Sequence, residues 1–170
     1  SVYIKDLKER HKINKESQFE DIVKIMASNI GSPCNPTKLS NTFQSVTKES
    51  LHSSTIHTFL NYLEDAFLIE KVTRYDVKGK KHVGALSKYY FSDIGLRNAI
   101  LNFRQQEESH IMENIIFNEK GNSIRKQLEI DFVCNKGSKR YYIQSAYAIP
   151  DQAKMDSLML TGDFFKRIII

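Results

Sequence analysis

The sequence predicts an α+β protein, and three observations carry that prediction. Apolar residues recur at helical spacing in three successive stretches between residues 19 and 63. Two short β-rich runs, residues 67–75 and 88–93, then flank a glycine-containing basic loop. Beyond residue 101, one further helical stretch precedes several β-branched and aromatic runs.

Residues 1–18 are polar and charged, with a short apolar start at Val2, Tyr3 and Ile4, and read as a short helix or linker belonging to something upstream. Phe19, Ile22, Val23, Met26, Ala27 and Ile30 form one face of a helix that Gly31 stops by taking positive φ. Asn35 then caps a second helix with Pro36 at its first position, and Leu39 and Phe43 make its buried face. Residues 46–50 are a turn. Ser53 or Ser54 caps a third helix with Ile56, Phe59, Leu60 and Leu63 facing inward. Its opposite side carries Thr55, His57, Thr58 and Asn61, all small or polar enough to approach a groove. The two β-rich runs follow as strands, and residues 95–101 start a closing helix. Three helices and then a two-stranded hairpin with a basic tip is the winged helix-turn-helix order, placed over residues 19–101.

The second half differs in character. Ile111, Met112, Ile115 and Ile116 make a helix. Residues 129–134 and 140–147 are strands joined by a turn at Asn135, Lys136 and Gly137, and residues 164–170 are a third, very apolar strand. No internal repeat or low-complexity tract is visible.

Composition narrows the function classes. A chain of 170 residues buries roughly 70% of its unfolded surface, enough for one or two small domains. With 41% hydrophobic and 26% charged residues it reads as a soluble globular protein. No apolar run approaches the roughly 20 residues that span a bilayer, and the start lacks a secretory leader, so no membrane partner is expected. Cys34 and Cys134 have no partner motif, which suits small buried thiols in a reducing cytoplasm. His11, His52, His57, His82 and His110 lack metal-ligand spacing and read as surface or capping residues, so no metal is expected.

Charge is the sharper signal. Residues 71–88 hold Lys71, Arg74, Lys78, Lys80, Lys81 and Lys88 against Asp76 alone, so the whole net charge of +5 sits in that stretch. A local basic stretch on a neutral body points to phosphate docking. On that reading the third helix enters a major groove, with Thr55, His57, Thr58 and Asn61 meeting bases or phosphates. Arg74, Lys78, Lys80, Lys81 and Lys88 then touch the backbone beside it. Two other readings stand beside it. Winged helices also dock proteins, and a lysine-rich hairpin can be simply solvated on a structural spacer.

Several segments together resemble a known prokaryotic family: residues 27–31, 62–69 and 88–98, followed by 112–117, 129–133 and 141–144. Its members are AAA-type P-loop ATPases whose C-terminal half holds a winged helix and a domain of unknown function similar to the restriction-endonuclease fold. The resemblance implies that residues 1–18 follow an ATPase domain absent from this chain, and that residues 102–170 are a restriction-endonuclease-like remnant. No Walker motif is present, so ATP and Mg²⁺ are expected only in that absent domain, and no cofactor here. The implied connections between Phe117 and Leu128 and near Asp156 and Ser157 are longer than those present, so either this protein has lost those pieces or the sequence joins segments across absent loops, the second being the expectation.

The nuclease-like fold places an aspartate on one strand and acid-x-lysine on the next, to hold Mg²⁺ and activate water. Here Glu113, Glu129 and Asp131 supply acids, but Gln144 and Ala146 stand where the second acid and the lysine belong. An amide is a weak cation ligand and alanine has no amine, so the positions Glu113, Asp131, Gln144 and Ala146 form a degenerate site. The expectation is a non-catalytic C-terminal region that binds double-stranded DNA. The alternatives are a protein-interaction module and a metal-dependent nuclease with an atypical site.

Overall fold

The computed structural model describes residues 2–73, 86–104, 108–120, 132–136, 139–144 and 166–169, with side chains for residues 2–73, 86–104, 108–118 and 143. The chain is α+β and divides into two compact units, Ser1–Lys71 with Ser87–Gln106, and Val72–Leu86 with Glu107–Ile170.

In chain order the first unit holds α1 (Val2–Arg10), α2 (Glu16–Ser28), α3 (Pro36–Thr47), α4 (Ser53–Asp65), the start of β1 (Ile69–Thr73), β2 (Ser87–Phe91) and α5 (Ile94–Ile100). Helix α1 carries a buried face of Ile4 and Leu7. Lys8 lies against Glu16 at 2.8 Å and Glu20 at 2.7 Å, and the His11 ring stacks on Tyr62 with centroids 3.8 Å apart. The Lys8 side chain is largely covered while both glutamates face solvent, and α1 is held as well by its buried Ile4 and Leu7 and by the ring stack.

The predicted apolar face of α2 is buried throughout, and Ile25 widens it. The helix ends at Ser28, two residues before the predicted Ile30. Asn29 closes it, with its backbone N–H donating to the Ile25 and Met26 carbonyls and its side-chain amide to Ile25 at 2.8 Å. Gly31 does have positive φ, 70°, but it uses it beyond the helix, where its N–H donates to the Tyr89 carbonyl of β2 at 3.1 Å.

Asn35 caps α3 as predicted, its side chain accepting from the Lys38 N–H at 2.8 Å, and Pro36 follows it. The expected turn at residues 46–50 begins later, because α3 runs to Thr47 and stops at Lys48 with φ 64°. The cap of α4 is His52 and not a serine. Its Nδ1 accepts from the Ser54 N–H at 3.3 Å, which moves Ser53 and Ser54 inside the helix. Ile56, Phe59, Leu60 and Leu63 are all buried, and Phe59 meets Phe19 edge to face at 5.0 Å.

Strands β1 and β2 pair as a two-stranded antiparallel sheet. A single bridge adds Cys34, from the α2–α3 connection, to the start of β2. The Cys34 N–H donates to the Ser87 carbonyl at 2.8 Å and the Ser87 N–H returns the bond at 2.9 Å. The Cys34 thiol is buried there, and burial pushes its pKa up to about 11, against a smaller downward pull from Lys38. Asp93 caps α5 by accepting from Gly95 and Leu96 at 2.7 and 3.2 Å. From α5, Arg97 turns inward at 1% exposure and its Nε donates to the Ala27 carbonyl of α2 at 2.9 Å.

The second unit contains α6 (Glu108–Lys120) and a three-stranded sheet of β3 (Phe132–Lys136), β4 (Lys139–Gln144) and β5 (Lys166–Ile169) in that order. The β3–β4 pair is antiparallel and the β4–β5 pair parallel. Asn135 and Lys136, expected in the turn, instead close the β3 ladder opposite Arg140 and Lys139. Ile116, Phe117 and Ile143 are buried, together with the polar Glu113 and Asn114. Among the described residues no helix is long and apolar enough to cross a membrane.

Two predictions follow from this core. Phe59→Ala should cost about 3–5 kcal/mol by leaving a cavity against Phe19, read as a lowered urea midpoint; an unchanged midpoint would refute the packing described. The second concerns alkali. The fold favours the neutral Cys34 thiol, so its contribution is complete below the unfolded value near 9.0 and is lost as pH rises through about 11. Urea midpoints should therefore drop across that window in the natural sequence and drop less in Cys34→Ala.

Candidate nucleic-acid interface

Burial of Ile56, Phe59, Leu60 and Leu63 fixes the rotation of α4 about its axis, and that turns His57, Thr58 and Asn61 outward. All three are exposed, while Thr55 is half-buried. The exposed residues are tied to each other and to the helix. The Asn61 side-chain nitrogen lies 3.3 Å from His57 Nδ1, and the Thr58 hydroxyl donates to the Ser54 carbonyl at 3.1 Å. The unprotonated Nδ1 that this amide donation requires is assigned from the hydrogen bond itself.

No lysine or arginine lies on α4; its charges are Glu64 and Asp65 at the C-terminal end. Burial raises the Glu64 pKa, Lys71 lowers it, and Asp65 raises it further. Burial also pushes the Tyr89 phenol upward, helped by Glu64. The outer face of α4 therefore offers neutral hydrogen-bonding groups toward its N-terminal side and negative charge at the far end.

The predicted basic residues divide between described and undescribed positions. Lys71 is exposed on β1 and Lys88 is half-buried on β2. Arg74, Lys78, Lys80 and Lys81, and likewise His82, lie outside the described residues. The structure thus brings His57, Thr58 and Asn61 together on one helix face.

Of the degenerate nuclease positions, Glu113 is buried on α6 with His110 Nδ1 3.9 Å from its carboxylate. Gln144 is the last residue of β4, opposite Ile169. Glu129, Asp131 and Ala146 lie outside the described residues. Among the described residues no group of three or more His, Cys, Asp or Glu side chains could hold a metal ion.

Sequence reasoning left His52 open as a surface or capping residue and missed Arg97, and both shape this unit. His52 was legible as a possible cap, but two serines beside it offered a more familiar signal. Arg97 sits three residues after Ile94 and four before Leu101, within an apolar helical stripe. A charge in such a stripe was the available sign of a buried, partnered cation.

Comparison with known proteins places these features in a family. No solved structure matches the chain. An uncharacterized protein of Haemophilus influenzae is 32% identical over 180 aligned residues, which cover 100% of this chain and 44% of that protein. The chain thus spans less than half the length of this relative. Residues 1–107 match the model of a domain of unknown function, DUF8612. Since that match takes in all of α1 to α5 and both strands of the hairpin, the chain belongs to the DUF8612 family.

Proposed function

We propose that this chain is a cytoplasmic, non-catalytic DNA-binding region in which residues 19–101 act as a winged helix. The observation that carries the reading is the outward neutral face of α4 in a unit whose elements run helix, bridge, helix, helix, strand, strand. A winged helix has a short strand between its first two helices, and the Cys34–Ser87 bridge occupies that place. Helix α4 is then the element that enters the major groove. The concentration of net charge in residues 71–88 supports phosphate contact by the hairpin.

The proposal extends to the second unit and to the parent protein. A helix followed by an antiparallel pair and a parallel third strand supports a restriction-endonuclease-like remnant. With Gln144 and Ala146 in place of acid and lysine, that remnant performs no cleavage. The resemblance to AAA-type ATPases supports a parent whose other domain binds ATP and Mg²⁺, and the 44% share of the relative that the chain covers leaves room for a further domain.

A second reading, docking to a protein partner, is favoured by the absence of lysine and arginine from α4 and by Phe67, 83% exposed just after it. Salt separates the two. Four or five lysine–phosphate contacts give a log–log slope of roughly −3.5 to −4.5 for affinity against salt. Changing Lys78, Lys80 and Lys81 to glutamine should weaken binding to all duplexes alike and flatten the slope by up to about 3 units. Equal slopes for the two proteins would give protein docking first place. Incubation with plasmid and Mn²⁺ should leave the DNA intact, and cutting abolished by Asp131→Ala would restore the nuclease alternative.

A further inference from the structure

We infer that α4 selects A·T base pairs, with Asn61 taking the adenine edge and Thr58 the methyl group of a neighbouring thymine. The inference rests on the DNA-binding reading above and adds the chemistry of the preferred site. An asparagine side chain has two N–H donors and one carbonyl acceptor. His57 Nδ1 takes one donor of Asn61, at 3.3 Å. One donor and one acceptor remain on that exposed side chain.

That pair is complementary to adenine in the major groove, which presents the N7 acceptor beside the N6 amino donor. Guanine presents two acceptors, N7 and O6, and would set its O6 against the Asn61 carbonyl. Cytosine offers only a donor and thymine only an acceptor. The His57 contact also restricts the amide before DNA arrives, which lowers the ordering cost of binding.

Thr58 supplies the second half. Its hydroxyl proton is spent on the Ser54 carbonyl at 3.1 Å, which leaves no donor there and presents the γ-methyl beside an oxygen that can only accept. Apolar contact with the thymine methyl is the recognition this permits. Thr58 and Asn61 are three residues apart, about 4.5 Å along the helix axis, close to the spacing of adjacent bases. Guanine contacts come most often from arginine or lysine, and α4 carries neither.

The test uses the full chain and a random duplex pool, followed by single-atom changes in the selected DNA. Selection should enrich A·T steps. Replacing the key adenine by 7-deazaadenine removes N7, and replacing thymine by deoxyuridine removes the methyl. Each should weaken the natural protein about fivefold or more. Asn61→Ala should be insensitive to the deaza substitution. Thr58→Ser, which keeps the hydroxyl bond, should be insensitive to deoxyuridine. Salt-dependent binding with no base preference, or with preference for G·C, would overturn this inference while leaving the DNA-binding reading in place. No duplex binding at low salt would overturn both.

Discussion

The first unit depends on one buried guanidinium. The last carbonyls of any helix lack partners within it, and a buried helix end must find them elsewhere. In α2, Asn29 serves Ile25 and Met26, and Arg97 serves Ala27 from a position 70 residues later in the chain. The charge sits at the negative end of the α2 dipole, which offsets part of the cost of removing it from water. Arg97 also reaches the Asn98 carboxamide at 3.0 Å. Beyond this joint, Gly31 bonds to Tyr89 and Cys34 to Ser87, so β2 is tied to the segment that follows α2.

That dependence explains what could be read from the sequence. The stripes of α2, α3 and α4 were legible because burial of Ile22, Phe43, Phe59 and their neighbours leaves a 3.6-residue period. Boundaries were less legible, since they are decided by single polar contacts. Asn29 ends α2 before Ile30, and His52 starts α4 before either serine. Arg97 was hidden for a deeper reason: its partner is a backbone carbonyl, and every residue but its distance from Arg97 looks alike in that respect. On α6 the same blindness applied to Glu113 and Asn114, which are buried while Ile115 is 48% exposed.

The candidate site was legible in its helix and less so in its chemistry. The outward placement of His57, Thr58 and Asn61 follows from the apolar period alone, whereas Thr55, in the first turn, is half-buried. The bond between Asn61 and His57 is a matter of i, i+4 geometry that spacing permits but does not fix. On the proposed DNA-binding reading, base selection would fall to α4 and phosphate attraction to residues 71–88, so the two tasks would be carried by different stretches of sequence.

Helix endings in this unit carry a cost. Lys12, Lys48, Phe67, Asn102 and Phe103 all have positive φ, from 47° to 64°, just after α1, α3, α4 and α5. Left-handed backbone costs a residue with a Cβ roughly 1–2 kcal/mol relative to right-handed helix. Phe67 is the extreme case, since its ring is 83% exposed and returns no burial for that cost. Glycine or asparagine there would be easier on the chain. The identity of residue 67 is therefore not enforced by the folding of this unit, and an evolutionary pressure that keeps an aromatic ring at that corner would have to come from outside it.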